Sequence, residues 1–310
     1  TRFLDEIRPK ARAAEQGLKE KLLSSGIIPD GYQVVLRDLQ AQSEIFREEN
    51  QALLSEEKKL VIEYDKIIGA QTVEWDGEQI PLLQLQPIYE EADRERREKA
   101  WRLSATRQLQ DRQEINALYR QFVELRQSIA TNAGLNNYRD YRWQELLRFD
   151  YSPEDCYQFH NAIESAAVPA AQLLYEKRRQ RLGLKKLRPW DLAVDPDGKP
   201  ALKPFGTTRE LIEKSVKIFS QVEADFGDYF QLMYDENLLD LESRANKGPG
   251  GYCTYYPYSQ RPFIFMNAVG IHEDIQTLLH EGGQRARGVE PADRKRSSQV
   301  SIRLHGPRNR

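Results

Sequence analysis

The sequence predicts a mainly α-helical chain with a small β-hairpin or sheet ahead of its last helix. Three observations lead there. Long stretches repeat apolar residues at helical spacing. Only two short blocks, around residues 71–83 and 252–267, are rich in strand formers flanked by Gly and Pro. Charged residues make up 30% of the 310 positions and apolar residues 39%, the balance of a folded, charge-rich globular protein. A formal net charge of −2 offers no basic surplus for nucleic acid. No apolar run approaches the ~18–20 residues of a membrane span. Neither nucleic acid nor membrane is therefore expected as a partner. The N-terminus has no signal-peptide core and no initiator Met, so an upstream start is expected. Cys156 and Cys253 lie far apart and read as free thiols of a reducing, cytoplasmic compartment.

In chain order, residues 1–23 and about 42–69 are charge-laced helical stretches with modest apolar stripes. Asp76-Gly77 between two apolar runs is a hairpin turn signal. Asp93 is placed to cap the next helix. Ile115, Leu118, Tyr119, Phe122, Leu125 and Ile129 form one helical face that ends near Gly134. Ser152-Pro153-Glu154-Asp155 opens another helix, with a cap, a Pro at its first position and acids in its first turn. That helix should bend near Pro169 and stop at Gly183. Residues 184–206 read as an ordered, turn-rich connection. Thr207 and Glu210 make a capping box, followed by the stripe Ile212, Val216, Phe219, Val222 and Phe226. The four tryptophans, Trp75, Trp101, Trp143 and Trp190, read as packing residues, and His160 as a half-buried helical His.

The chemistry concentrates between Asp240 and Gly283. Gly248-Pro249-Gly250-Gly251 forces a loop, and strand-rich runs at 252–257 and 262–267 flank the Ser259-Gln260-Arg261 turn. A helix from about Ile271 follows, with Ile275, Leu278 and Leu279 on its apolar face and His280-Glu281 after them. In a zinc-peptidase helix, two His at i and i+4 bind the metal and the intervening Glu acts as base. Here the i+4 position is Gln284, and His272-Glu273-Asp274-Ile275-Gln276 spells the same degenerate string earlier. Taken alone, either string reads as a surface His beside a Glu.

The runs Gly250–Thr254, Pro262–Asn267 and Leu278–Gly283 together resemble the oligoendopeptidase F branch of the thimet oligopeptidase family. So do Asp240–Arg244, Tyr64–Gly69, Trp75–Glu78 and Arg142-Trp143, over residues 1–283 in all. The resemblance implies a helical zincin-type peptidase of two lobes, with zinc as cofactor and short peptides as substrates. It implies His280 as a metal ligand and Glu281 as general base. Gly250, Gly251 and Tyr252 match the loop bordering the cleft. Phe265 and Asn267 match a strand along which a substrate backbone lies by strand addition.

Gln284 stands where the second His ligand is expected, and no third ligand is evident. From residue 284 to Arg310 eight basic residues face only Glu290 and Asp293, a surplus of +6 with no aromatic residue. The expected organisation is an N-terminal helical lobe at 1–150, the first part of a catalytic domain at 151–283, and a basic, disordered, non-family tail at 284–310. A frameshift or misassembled end after Gly283 would produce such a tail. The chain then reads as an incomplete, inactive fragment whose Ile275–Leu279 face is partly exposed. The competing expectation is a non-catalytic helical peptide-binding or scaffold protein with a degenerate zinc site.

Overall fold

Capping residues and glycines divide the chain into its elements. The computed structural model describes residues 2–286. A π-helical turn at Phe3–Ile7 leads into α1 (Arg8–Ser24), α2 (Gln33–Ile45) and α3 (Asn50–Gly69). The hairpin β1 (Thr72–Trp75) and β2 (Glu78–Pro81) turns at Asp76 and Gly77, both at positive φ as a tight hairpin turn requires. A 3₁₀ segment, Leu82–Glu90, precedes α4 (Arg94–Gln110), α5 (Arg112–Asn132) and α6 (Tyr138–Glu145). Next come α7 (Pro153–Ala162), a π turn at Ile163–Ala167, and α8 (Val168–Arg181). The second half holds α9 (Thr208–Val222), α10 (Ala224–Asp235), β3 (Leu239–Glu242), β4 (Tyr252–Tyr256), β5 (Arg261–Ala268) and α11 (His272–Ala286).

Several predicted starts are built as the residues dictate. The Asp93 carboxylate accepts from the Glu95 and Arg96 N–H groups. Ser152 and Asp155 form a reciprocal capping box. Four readings need correction. Residues 33–45 are a separate helix, because Phe46 turns extended and breaks the stretch ahead of α3. The stripe after Thr207 crosses a break at Glu223, where φ is −160°, and this leaves Val222 71% exposed. At that cap, Glu210 accepts from Gly206 N–H rather than from Thr207. His160 is exposed, not half-buried. A π turn at Ile163–Ala167 lies just ahead of Pro169, where a bend is expected; such turns commonly accompany an interrupted helical hydrogen-bond ladder.

The chain forms two compact units, with boundaries inside α3 and α8. One comprises the residues up to Tyr64 together with Arg112–Leu173. Its core is Ile45, Ile129, Ala130, Ala133 and Tyr141. Asn50 is 1% exposed and donates to the Ile129 carbonyl, while its own amide oxygen accepts from Asn132.

The other unit takes Asp65–Asp111 and the chain from Leu174 onward. Its larger core joins Leu211, Phe219, Phe230, Met233, Ile264, Met266 and Leu278. A smaller cluster packs Val73, Trp75, Leu85 and Ala100. Trp75 and Trp190 are buried packing residues, as expected. The turn-rich connection is tied to α4 by Asp191, which is fully buried. Arg94 donates to both its oxygens at 2.9 and 3.0 Å, and the buried Arg97 donates at 3.2 Å. Burial pushes this carboxyl up, but the bonds from Arg94, the Arg188 N–H and Arg97 outweigh it and hold it below the usual carboxylate value.

Removing one partner of a buried pair leaves the other charge uncompensated, at a cost of about 3–5 kcal/mol. Asp191→Ala should therefore lower the urea midpoint by that equivalent with an unchanged slope. A variant as stable as the parent would show that the Arg97 charge is satisfied by the Trp190, Glu91 and Ala92 carbonyls it also reaches.

Candidate active site

Strand β5 organises the region that carries the predicted site. It lies between β3, which pairs with it in parallel, and β4, which pairs antiparallel. Side chains alternate across a strand. Pro262, Ile264, Met266 and Ala268 are buried, the last three in the core shared with α9, α10 and α11. Phe265 and Asn267 therefore project to the opposite face. Within the predicted 262–267 run, β5 is paired on both sides at Ile264 and Phe265, and the outer edges of this sheet belong to β3 and β4.

On that opposite face stands a buried cation. The Lys247 side chain is 2% exposed. Its ammonium donates to the Asp240 carbonyl and Oδ1 at 3.0 Å each, to Glu242 O at 2.9 Å and to Met266 O at 2.6 Å. It also sits 4.5 Å from the centre of the Phe265 ring, a cation–π distance. Burial lowers the Lys247 pKa from its ordinary value. Arg244 clamps Asp240 through two bonds, and this carboxyl is held below the usual range by them and by Lys247. Tyr252 stacks on Phe265 at 5.0 Å and stays half exposed.

Asn267 Nδ2 donates to the carbonyls of Gly248 and Gly250, both at 3.0 Å, and so pins the glycine loop. At Gly251 an added Cβ would lie 3.5 Å from Thr277 Cγ2 of α11. The loop thus reaches α11 one turn ahead of Glu281. Gly69, at the end of α3, meets the same segment from another direction: its carbonyl accepts from Asn246 N–H, and an added Cβ would lie 2.8 Å from the Lys247 carbonyl.

The start of α11 is fixed by Asp274, whose Oδ2 accepts from the Val269, Gly270 and Ile271 N–H groups at 2.8–3.0 Å. On the apolar face of α11 Leu278 is fully buried, whereas Ile275 and Leu279 pack on the same core and stay partly exposed, as expected. Glycine makes this approach possible, since a Cβ at Gly282 would lie 2.8 Å from Phe219 Cζ. His280 is exposed and Glu281 half-buried near the end of the helix, which continues to Ala286. Residues 287–310, with Glu290 and Asp293 and most of the predicted tail, lie outside the described residues. The structure thus brings Gly251 to α11, but sets Tyr252, Phe265 and Asn267 on the sheet face away from it.

The model of peptidase family M3 matches residues 88–285. The chain belongs to that family. Among solved structures, it is 30% identical to PZ peptidase A, determined with an inhibitor, over 92% of this chain and 51% of that one, with a TM-score of 0.84. It is 28% identical to a structure described as an oligoendopeptidase F, over 93% and 51%, with a TM-score of 0.85. A third, from Bacillus anthracis strain Ames, is 24% identical over 92% and 53%, with a TM-score of 0.84, and shows the fold. The chain spans about half the length of these M3 structures. No curated protein matches it.

A catalytic zinc takes three protein ligands and an open position. No group of three His, Cys, Asp or Glu is arranged to hold a metal ion among the described residues. His280 has Gln284 rather than His one turn on, and an amide is a poor zinc ligand. The described residues therefore do not by themselves fit the zinc that the resemblance implies. Sequence reasoning missed Lys247 and Asp274, because their function depends on carbonyls and N–H groups brought together by folding.

Two outcomes follow from this geometry. Gly282→Ala should destabilise the chain by about 1–3 kcal/mol, because overpacking against Phe219 outweighs the ~1 kcal/mol gained in helix propensity. Gly283→Ala, with nothing within 4 Å of its Cβ, should stabilise it slightly. Equal melting temperatures for the two variants would contradict the packing. Separately, the depressed folded-state pKa of Asp240 contributes stability above its unfolded value, near pH 4. That contribution is lost as pH falls through the lower folded value. The stability gap between the parent and Asp240→Asn should accordingly narrow between pH 5 and 2, which acid-titrated urea melts would measure.

Proposed function

We propose that this chain carries the first ligand and the general base of a zinc-dependent endopeptidase acting on short peptides, with His280 as ligand and Glu281 as base. The observation that carries the reading is the M3 match, which runs through α11 to residue 285 and includes the exposed His280 and the adjacent Glu281. Tyr252 and the glycine loop at Gly250 and Gly251 are proposed as substrate contacts, with Phe265 and Asn267 supporting them from the sheet. The exposed Tyr252 and the open edge of β4 favour an extended peptide over a globular substrate. Two cysteines without a disulfide favour a cytoplasmic location. No helix among the described residues is long and apolar enough to cross a membrane.

The absence of a fitting donor set among the described residues supports a further part of the reading: on its own the chain is inactive, and Gln284→His alone does not rescue it. Turnover of a quenched fluorescent peptide, with added zinc and with a chelator, tests this. Chelator-sensitive turnover by the unmodified chain, lost on Glu281→Ala, would overturn that part. Replacing the matching half of PZ peptidase A by this chain tests the rest. The chimera should gain turnover only with Gln284→His and lose at least ~10²-fold on Glu281→Gln. A chimera that binds zinc yet is indifferent to residue 281 would remove Glu281 from the mechanism.

A further inference from the structure

We infer that Lys247, together with Asn267, is a positioning residue that holds the Gly248–Gly251 loop against α11 beside Thr277, and so fixes the wall of the proposed peptide site. The inference rests on the peptidase reading only for what the loop serves; the clamp itself is read from the geometry. A lysine with four oxygen acceptors at 2.6–3.0 Å and almost no exposure is a costly arrangement. Its acceptors come from β3 and β5, so the ammonium ties both strands to the loop that begins one residue later. The loop has little means of holding itself: three of its four residues are glycine and the fourth is proline. Asn267 takes two of its carbonyls from the β5 side. Asn246 N–H holds the Gly69 carbonyl at 2.8 Å on the α3 side. With the loop anchored at both ends, Gly251 stays within contact of Thr277, which precedes His280 and Glu281 by three and four positions and so shares their side of the helix.

The test is hydrogen exchange on the full chain, comparing the parent with Lys247→Met and, independently, Asn267→Ala. Both variants should speed exchange of the Gly250–Tyr252 amides at least tenfold while Phe263–Phe265 and Leu278–His280 keep their protection. Unchanged loop exchange would overturn the clamp. Global loss of protection in Lys247→Met would mark Lys247 as a purely structural residue and overturn its part, leaving Asn267 to be judged by its own variant. A second readout is the affinity of a fluorescein-labelled short peptide, expected to weaken at least tenfold in both variants. An unchanged affinity beside a loosened loop would sever the clamp from the peptide site. Should the parent itself bind no peptide, the peptidase reading fails, and the exchange comparison still decides the clamp.

Discussion

The candidate site depends on one constraint: β5 is the central strand of its sheet and is packed on both faces. Its backbone is shared between β3 and β4, one face is sealed by the apolar core under α11, and the other carries the Lys247 ammonium. A strand so placed cannot slip in register, because a one-residue shift would turn Ile264 and Met266 out of the core and Phe265 into it. The helix after it is equally fixed, since Asp274 collects the three N–H groups of the turn between them. The position of His280 and Glu281 is therefore inherited from the strand, through a turn with no slack.

Much of this was legible in the sequence where the signal is local. Asp76-Gly77, Asp93, Ser152 and Gly134 act through their own backbone or the next turn, so residue type and spacing suffice. The helix-dominated fold class and the M3 relationship were likewise legible, the first from periodicity and the second from the glycine loop and the Leu278–Gly283 run. What failed was long-range. The exposure of Val222 follows from a break at Glu223 that lets Phe226 pack from a second helix. The complete burial of Leu278 depends on α9 and α10, whose packing no spacing within α11 reveals.

Lys247 shows the same limit at the candidate site. In the sequence it is a lysine before a glycine-rich loop, a place where solvent exposure is the ordinary outcome. Only the fold converts it into a buried charge, because three of its four partners are main-chain carbonyls that carry no sequence signature. The same holds for Gly69, whose lack of a side chain matters only because Lys247 passes beside it.

The Arg97–Asp191 pair also has a consequence for how the protein is made. The two residues are 94 positions apart, and the intervening chain includes all of α5, α6 and α7, which belong to the other unit. At a synthesis rate of roughly 5–20 residues per second, α4 waits on the order of 5–20 s before the carboxylate that neutralises its buried guanidinium exists. Throughout that interval Arg97 has only the nearby Glu91 and Ala92 carbonyls among these partners, and its ion pair closes last, once the connection at 189–194 has left the ribosome.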